Sequence, residues 1–333
     1  MTGSNNSYSI DSGTIDDMLI HRQQMQEDLP WNCLFVLPSW LKVWWKNFGR
    51  ESQLKVLSIR RAGRLIGIAP LQVKEDRARL IGDREVCDHL DFVVAPENAA
   101  EFYRILLTHL KRNGISRLEL EPIRPDSSAF AILMPLAEEM GCPVSRTGID
   151  VSFEMHLPGS WEEYLATLTG KERHEIRRKL RRLEEAGRIR GRLVDELSAV
   201  PNEMEVFLEL FKSNRSDKAG FMTGRMATYF RDLAQALAAA RILKLFFLDL
   251  DDRPVAAAMC FNFQSTMFLY NNGYDHSYRN LSVGLLSKVL SIRESIQSGL
   301  RTYDFLKGAE AYKQRLGGRP IQLYRGEIDL NLD

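Results

Sequence analysis

The same succession of signals is read twice along this chain: two apolar stretches around a tight turn, then a helix, then a short strand. In the first round, residues 54–59 and 65–73 flank the turn Arg61-Ala62-Gly63, a helix is expected from about Glu97 to Arg112, and 117–120 reads as a strand. In the second, 242–248 and 255–263 flank Asp251-Asp252-Arg253-Pro254, 266–270 adds a strand, a helix follows over 282–298, and 302–306 closes the round. Alternating strands and helices argue against a helical bundle or an all-β sandwich and predict a mixed α/β fold of two tandem modules. A single large α/β sheet is the alternative. Residues 160–187, 201–215 and 224–240 read as helices inserted before the second hairpin. The expected division is a polar segment 1–30, a first module 31–157 and a second module 158–333 that includes the helical segment 160–240.

Chemistry concentrates at the end of the second round, in YDFLKGAEAYKQRLG, residues 303–317. Asp304 sits inside an apolar strand, Gly308 frees the backbone to turn, and Glu310, Tyr312, Lys313 and Arg315 follow at once. A core has no use for that density of polar groups. Group transfer to a nucleophile needs a base for the nucleophile's proton and donors for the negative charge that develops. Asp304 and Glu310 are the candidate bases or amine anchors, Lys313 a stabiliser of negative charge or of a leaving thiolate, and Tyr312 a donor to either. Asp304 paired with Lys307 as a sheet-edge carboxylate is the plainer reading.

With 44% hydrophobic and 27% charged residues in 333, the chain can bury a large core. Its net charge of +1 leaves anion recognition to local clusters. One such cluster is GKERHEIRRKLRRLEEAG, residues 170–187, with Thr169 and Glu172 at capping-box spacing and Gly187 as a stop. Ile176, Leu180 and Leu183 share a face, and Arg173, Arg177 and Arg181 line one border of it, placed to hold a phosphate or carboxylate. Arg178, Lys179 and Arg182 read as a solvated outer face, neutralised by nearby glutamates. The polar first thirteen residues lack the pattern of a secretory signal, and no stretch has the length of a membrane span, so a cytoplasmic protein is expected. Cys33, Cys87, Cys142 and Cys260 are scattered, and the six histidines show no ligand spacing, so neither a disulfide framework nor a metal is predicted.

FVLPSWLKVWW (35–45), the basic helix, the hairpin LFFLDLDDRPVAAAMCFNF (245–263) and the closing segment stand in the order found in the BioF-like or CelD-like acetyltransferase domain of the GNAT superfamily. The chain resembles that family over residues 31–327. The resemblance implies two GNAT modules with the active site in the second, and acyl-CoA, acetyl-CoA or longer, as cosubstrate. In this fold the pyrophosphate meets the N-terminus of the helix after a split strand pair. That places Asn280, Leu281, Ser282, Val283 and Gly284 at the cofactor, although the usual phosphate loop has several spaced glycines and only Gly284 is present here. It also implies an amine- or hydroxyl-bearing sugar or small metabolite as acceptor, in extracellular polysaccharide or cell-envelope biosynthesis. Arg173, Arg177, His89, Asp91 and Lys307 are the candidate substrate-binding residues, His89 and Asp91 because Asp88-His89-Leu90-Asp91 interrupts an apolar stretch. Tyr312-Lys313-Gln314-Arg315-Leu316-Gly317 is also similar to the Phe-Lys-x-x-Phe-Gly segment of Fem-type aminoacyltransferases. Two further functions therefore stand beside the first: aminoacyl transfer from charged tRNA, and a noncatalytic module that binds an acyl carrier or partner.

Overall fold

The computed structural model describes residues 8–24, 29–214 and 220–331. In chain order the elements are β1 (Tyr8–Gly13), α1 (Ile15–Gln24), α2 (Pro38–Phe48), β2 (Gln53–Arg61), β3 (Arg64–Lys74), β4 (Arg77–Leu80), β5 (Val93–Val94), α3 (Ala99–Arg112), β6 (Arg117–Ile123), α4 (Met134–Glu139) and β7 (Val144–His156). Then come α5 (Trp161–Thr167), α6 (Gly170–Ala186), β8 (Ile189–Val194), α7 (Val200–Asn214), α8 (Gly224–Ala239), β9 (Leu243–Leu250), β10 (Arg253–Phe263), β11 (Thr266–Tyr274), α9 (Val283–Gln297), β12 (Thr302–Lys307), α10 (Ala311–Arg315) and β13 (Arg319–Asp329). The fold is mixed α/β, and it divides into a unit of Met1–Asp150 with Gln322–Asp333 and a unit of Val151–Ile321.

In the first unit, β1, β2, β3 and β4 are antiparallel neighbours, β4 runs parallel to β6, and β6 is antiparallel to β13. Ala62 and Gly63 both have positive φ, 46° and 81°, as a two-residue hairpin between twisted strands requires. The parallel pairing is short: Arg77, Ala78 and Arg79 face Arg117, Leu118 and Glu119. Beyond it, the chain's own loop borders β6, with Leu90 N–H donating to Pro122 O at 2.7 Å and Ile81, Val86, Cys87 and Leu90 buried. The segment expected to be only polar holds β1, paired with β2, and α1; its residues 1–7 and 25–28 lie outside the described ones. β1 escapes a hydrophobicity reading because YSIDSG is an edge strand with no buried residue.

In the second unit, β8, β9, β10 and β11 are antiparallel in that order, β11 runs parallel to β12, and β12 is antiparallel to the end of β7. Two-residue turns with positive φ recur at Asp251-Asp252 and Gln264-Ser265. β10 is apolar on both faces, with Val255 to Phe261 all buried. Tyr303, Phe305, Val283, Leu286, Val289 and Leu290 join Ile176 and Leu183 of α6 in one core. α6 begins as its sequence dictates, because the Thr169 hydroxyl accepts from Glu172 N–H at 3.3 Å. The four cysteines are free and buried. No helix among the described residues is long and apolar enough to cross a membrane, and no group of three His, Cys, Asp or Glu there could hold a metal.

Candidate functional site: a cavity where two parallel strands part

β11 and β12 are bonded over only three residue pairs, Thr266–Thr302, Met267–Tyr303 and Phe268–Asp304. Past these the strands diverge. A cavity of about 400 Å³ opens there, lined by Asn272 and Tyr274 of β11, Lys179 of α6, Arg279 and Ser282 before α9, Gly284, Leu285 and Lys288 on it, and Glu310 and Tyr312 after β12. Ser282 caps α9 with φ 58°, a left-handed conformation that is costly for a residue with a side chain. Its carbonyl takes the Leu285 and Leu286 N–H groups, and its hydroxyl accepts from Lys179 Nζ at 2.8 Å. The first N–H groups of α9 have no acceptor within the helix, so its positive end and two nearby cations border one space. A Cβ at Gly284 would stand 2.5 Å from the Tyr274 ring, so the glycine lets that ring close the cavity wall.

The closing segment divides into two functions. Glu310 and Tyr312 reach the cavity; Asp304 and Lys313 lie beneath it. Asp304 is 2% exposed, and its Oδ1 accepts from Leu306 N–H at 2.8 Å. Leu306 has φ 60°, at a register shift in the β12–β7 ladder, so the carboxylate supports a bulge. Lys313 is also 2% exposed; its ammonium donates to Leu306 O at 3.0 Å and to Lys307 O, and pairs with Glu310 Oε2 at 3.0 Å. Lys307 meets this arrangement through its carbonyl. Together these residues fix the free end of a strand that has lost its parallel neighbour. Burial, reinforced by the Glu310 charge, pushes the Tyr312 phenol well above the ordinary tyrosine range, so it stays protonated and able to donate.

Of the five expected cofactor residues, Ser282 and Gly284 line the cavity. Asn280 is exposed, Val283 is core, and Leu281 packs against that core. Arg173 sends Nη1 toward Leu165 O at 3.5 Å and Arg177 is exposed; neither lines the cavity. Lys179 does, contrary to its reading as an outer residue. It lies three residues after buried Ile176 and four before buried Leu183, on the border of the stripe opposite Arg173 and Arg177. Glu175, bonded by Arg178 and then Lys179, is held down at a pKa of about 2. Lys288 escaped notice as well. It is 6% exposed, donates to Asn272 Oδ1 at 2.9 Å and Gly284 O at 2.6 Å, and lies 4.9 Å from the Tyr312 ring centre. A single lysine within the apolar run VGLLSKVLSI was its signal in the sequence.

His89 and Asp91 belong to the first unit and line a cavity of about 330 Å³ there, with Arg124 and Asp126. The Asp91 carboxylate accepts from Phe92, Ser128 and Ala129 N–H and from the Ser128 hydroxyl, at 2.8–3.0 Å, the geometry of a helix cap. Burial, then the Arg124 charge, drives the His89 pKa down to about 3, which makes it a poor general base near neutrality.

Residues 170–314 match the acetyltransferase (GNAT) domain family. Solved structures that share the fold over most of the chain include a tandem GNAT protein. FemX shares 13% identity with a TM-score of 0.67, covering 97% of each chain. A tandem GNAT protein from the clavulanic acid biosynthesis pathway shares 12% identity with a TM-score of 0.52, covering 98% of this chain and all of its own (100%). L-PGS from Bacillus licheniformis shares 10% identity with a TM-score of 0.54, covering 86% of this chain and 90% of that one. Comparison with curated protein sequences finds no significant match.

Proposed function

We propose that this chain is an acyl-CoA-dependent N- or O-acyltransferase whose donor enters the cavity between β11 and β12. The observation that carries the reading is the coincidence, inside residues 170–314, of a three-pair strand split, a helix N-terminus flanked by Lys179 and Arg279, and two proton-handling groups, Glu310 and Tyr312. The pyrophosphate would meet the start of α9 and the cations there. The acceptor's amine or hydroxyl attacks the thioester carbon, Glu310 takes its proton, the C–S bond breaks, and Tyr312 protonates the departing thiolate. Asp304 and Lys313 position the strand end from which Glu310 and Tyr312 project. An amine- or hydroxyl-bearing sugar or small metabolite is the proposed acceptor, in the manner of the CelD-like domains the sequence resembles. The modules are proposed to divide the work, with donor chemistry in the second.

Calorimetric titration with acetyl-CoA and a longer acyl-CoA tests this reading. Saturable binding that disappears in Gly284→Val is expected, because the new side chain displaces the Tyr274 ring. No binding of either thioester overturns it. The likeness to FemX over 97% of the chain favours a second reading, charged tRNA as donor, with exposed Arg177, Arg181 and Arg182 meeting phosphates. RNA binding that weakens steeply with salt, without thioester binding, would select it.

A further inference from the structure

The first unit's cavity has a composition unlike that of the donor cavity. Arg124, its side chain 13% exposed, forks onto Asp126, Nε to Oδ1 at 2.9 Å and Nη2 to Oδ2 at 3.1 Å. Asp91 is enclosed by the four hydrogen bonds of its cap. The His89 ring packs edge-on against Phe35 at 5.0 Å, and its nitrogens have no hydrogen-bond partner among the described residues. His89 is only half-buried, so its ring nitrogens reach the cavity, where water or the hydroxyls of a ligand can complete them. The remaining wall combines apolar Phe92, Val94, Pro96 and Ile132 with polar Asn32, Ser127 and Ser128.

The charges select the ligand. An anion would face Asp126, already joined to the guanidinium, and a neutral imidazole that gives no counter-charge. A cation would face Arg124. A neutral molecule bearing several hydroxyls meets no such penalty. The largely exposed Asp126 carboxylate offers acceptors to neighbouring hydroxyls, the imidazole offers one donor and one acceptor, and the apolar part of the wall suits the C–H face of a ring.

We infer that the cavity of His89, Arg124 and Asp126 is a binding site for a neutral monosaccharide unit. It is independent of the donor assignment and of any acyl transfer. The test is nitrogen NMR of the histidine rings in the full chain, titrated with glucose, galactose and N-acetylglucosamine, and with glucose 6-phosphate as the charged comparison. His89→Gln identifies the His89 resonances among those of six histidines. At least one neutral sugar is expected to shift the His89 nitrogens saturably, and glucose 6-phosphate to bind about tenfold more weakly. Affinity should fall about tenfold in His89→Leu and Arg124→Met and stay within about threefold in His89→Gln, which keeps a donor and an acceptor. If Arg124→Met does not fold, the two His89 variants decide. No shift with any neutral sugar, phosphate binding as tight as glucose, or equal affinities in His89→Leu and His89→Gln overturns the inference.

Discussion

The two units repeat one device with opposite outcomes. In each, parallel strands are bonded over three residue pairs and then part, with an α-helix between them in sequence. In the second unit the parting opens a cavity at the start of α9. In the first, the loop between β4 and α3 bonds to β6 through Leu90 and buries Ile81, Val86, Cys87 and Leu90. A splayed strand pair leaves backbone groups and apolar side chains in need of partners. The first unit meets that need from its own chain, whereas the second leaves an open cavity, the one we propose a ligand fills. The difference teaches that the fold alone does not make a cavity; whether the intervening loop packs into the parted strands decides it.

Four changes would break or sharpen this contrast. The largest effect is expected from Tyr312→Phe, which removes the proposed acid: kcat should fall by about 10²–10⁴ with KM little changed, measured with a thiol-release assay once an acceptor is found. An unchanged kcat would remove Tyr312 from the chemistry. Lys288→Met should weaken acyl-CoA binding about tenfold to a hundredfold by calorimetry, since Gly284 O and Asn272 lose a charged donor beside the entry. Wild-type affinity would show that this lysine only supports the helix.

Leu90→Pro deletes the N–H that ties the loop to β6, costing about 1–3 kcal/mol in denaturant unfolding, with acyl-CoA affinity unaltered. A parallel loss of thioester binding would contradict the separation of the two units' roles. The effect that is smallest near neutrality concerns pH. His89 has a folded-state pKa of about 3 against an ordinary 6.5, so the unfolded chain binds its proton first as pH falls. Its contribution therefore turns destabilising below about pH 6.5 and reaches about 2 kcal/mol near pH 5. Unfolding of His89→Gln should lack that increment, and a slope equal to wild type would show that His89 titrates normally.

The two hairpins read from the sequence were legible through two-residue turns and apolar flanks and the helix at 170–186 through its Thr169 cap, whereas β4, β7, β8 and β13 were not read. The closing segment was legible as a place, since charge density in an apolar strand has no packing explanation. Its internal division was not. Asp304 and Glu310 look alike in sequence, yet one supports a bulge and the other faces the cavity, a distinction set by the left-handed turn at Leu306. Lys179 was misjudged by a choice of helix border that sequence periodicity leaves open. Lys288 was hidden because a lysine in an apolar helix becomes informative only when its ammonium is seen to meet Gly284 O and Asn272.

The final strand has a consequence for how the protein is made. β13 carries the partners of β6, from Tyr324 opposite Ile123 to Asp329 opposite Arg117, and these residues leave the ribosome after the whole of Val151–Ile321. Synthesis therefore reverses the usual N-to-C order of domain completion. The later unit can mature while the earlier one waits with an open sheet edge, and a nascent chain stopped at Ile321 should present β6 to chaperones or to other chains.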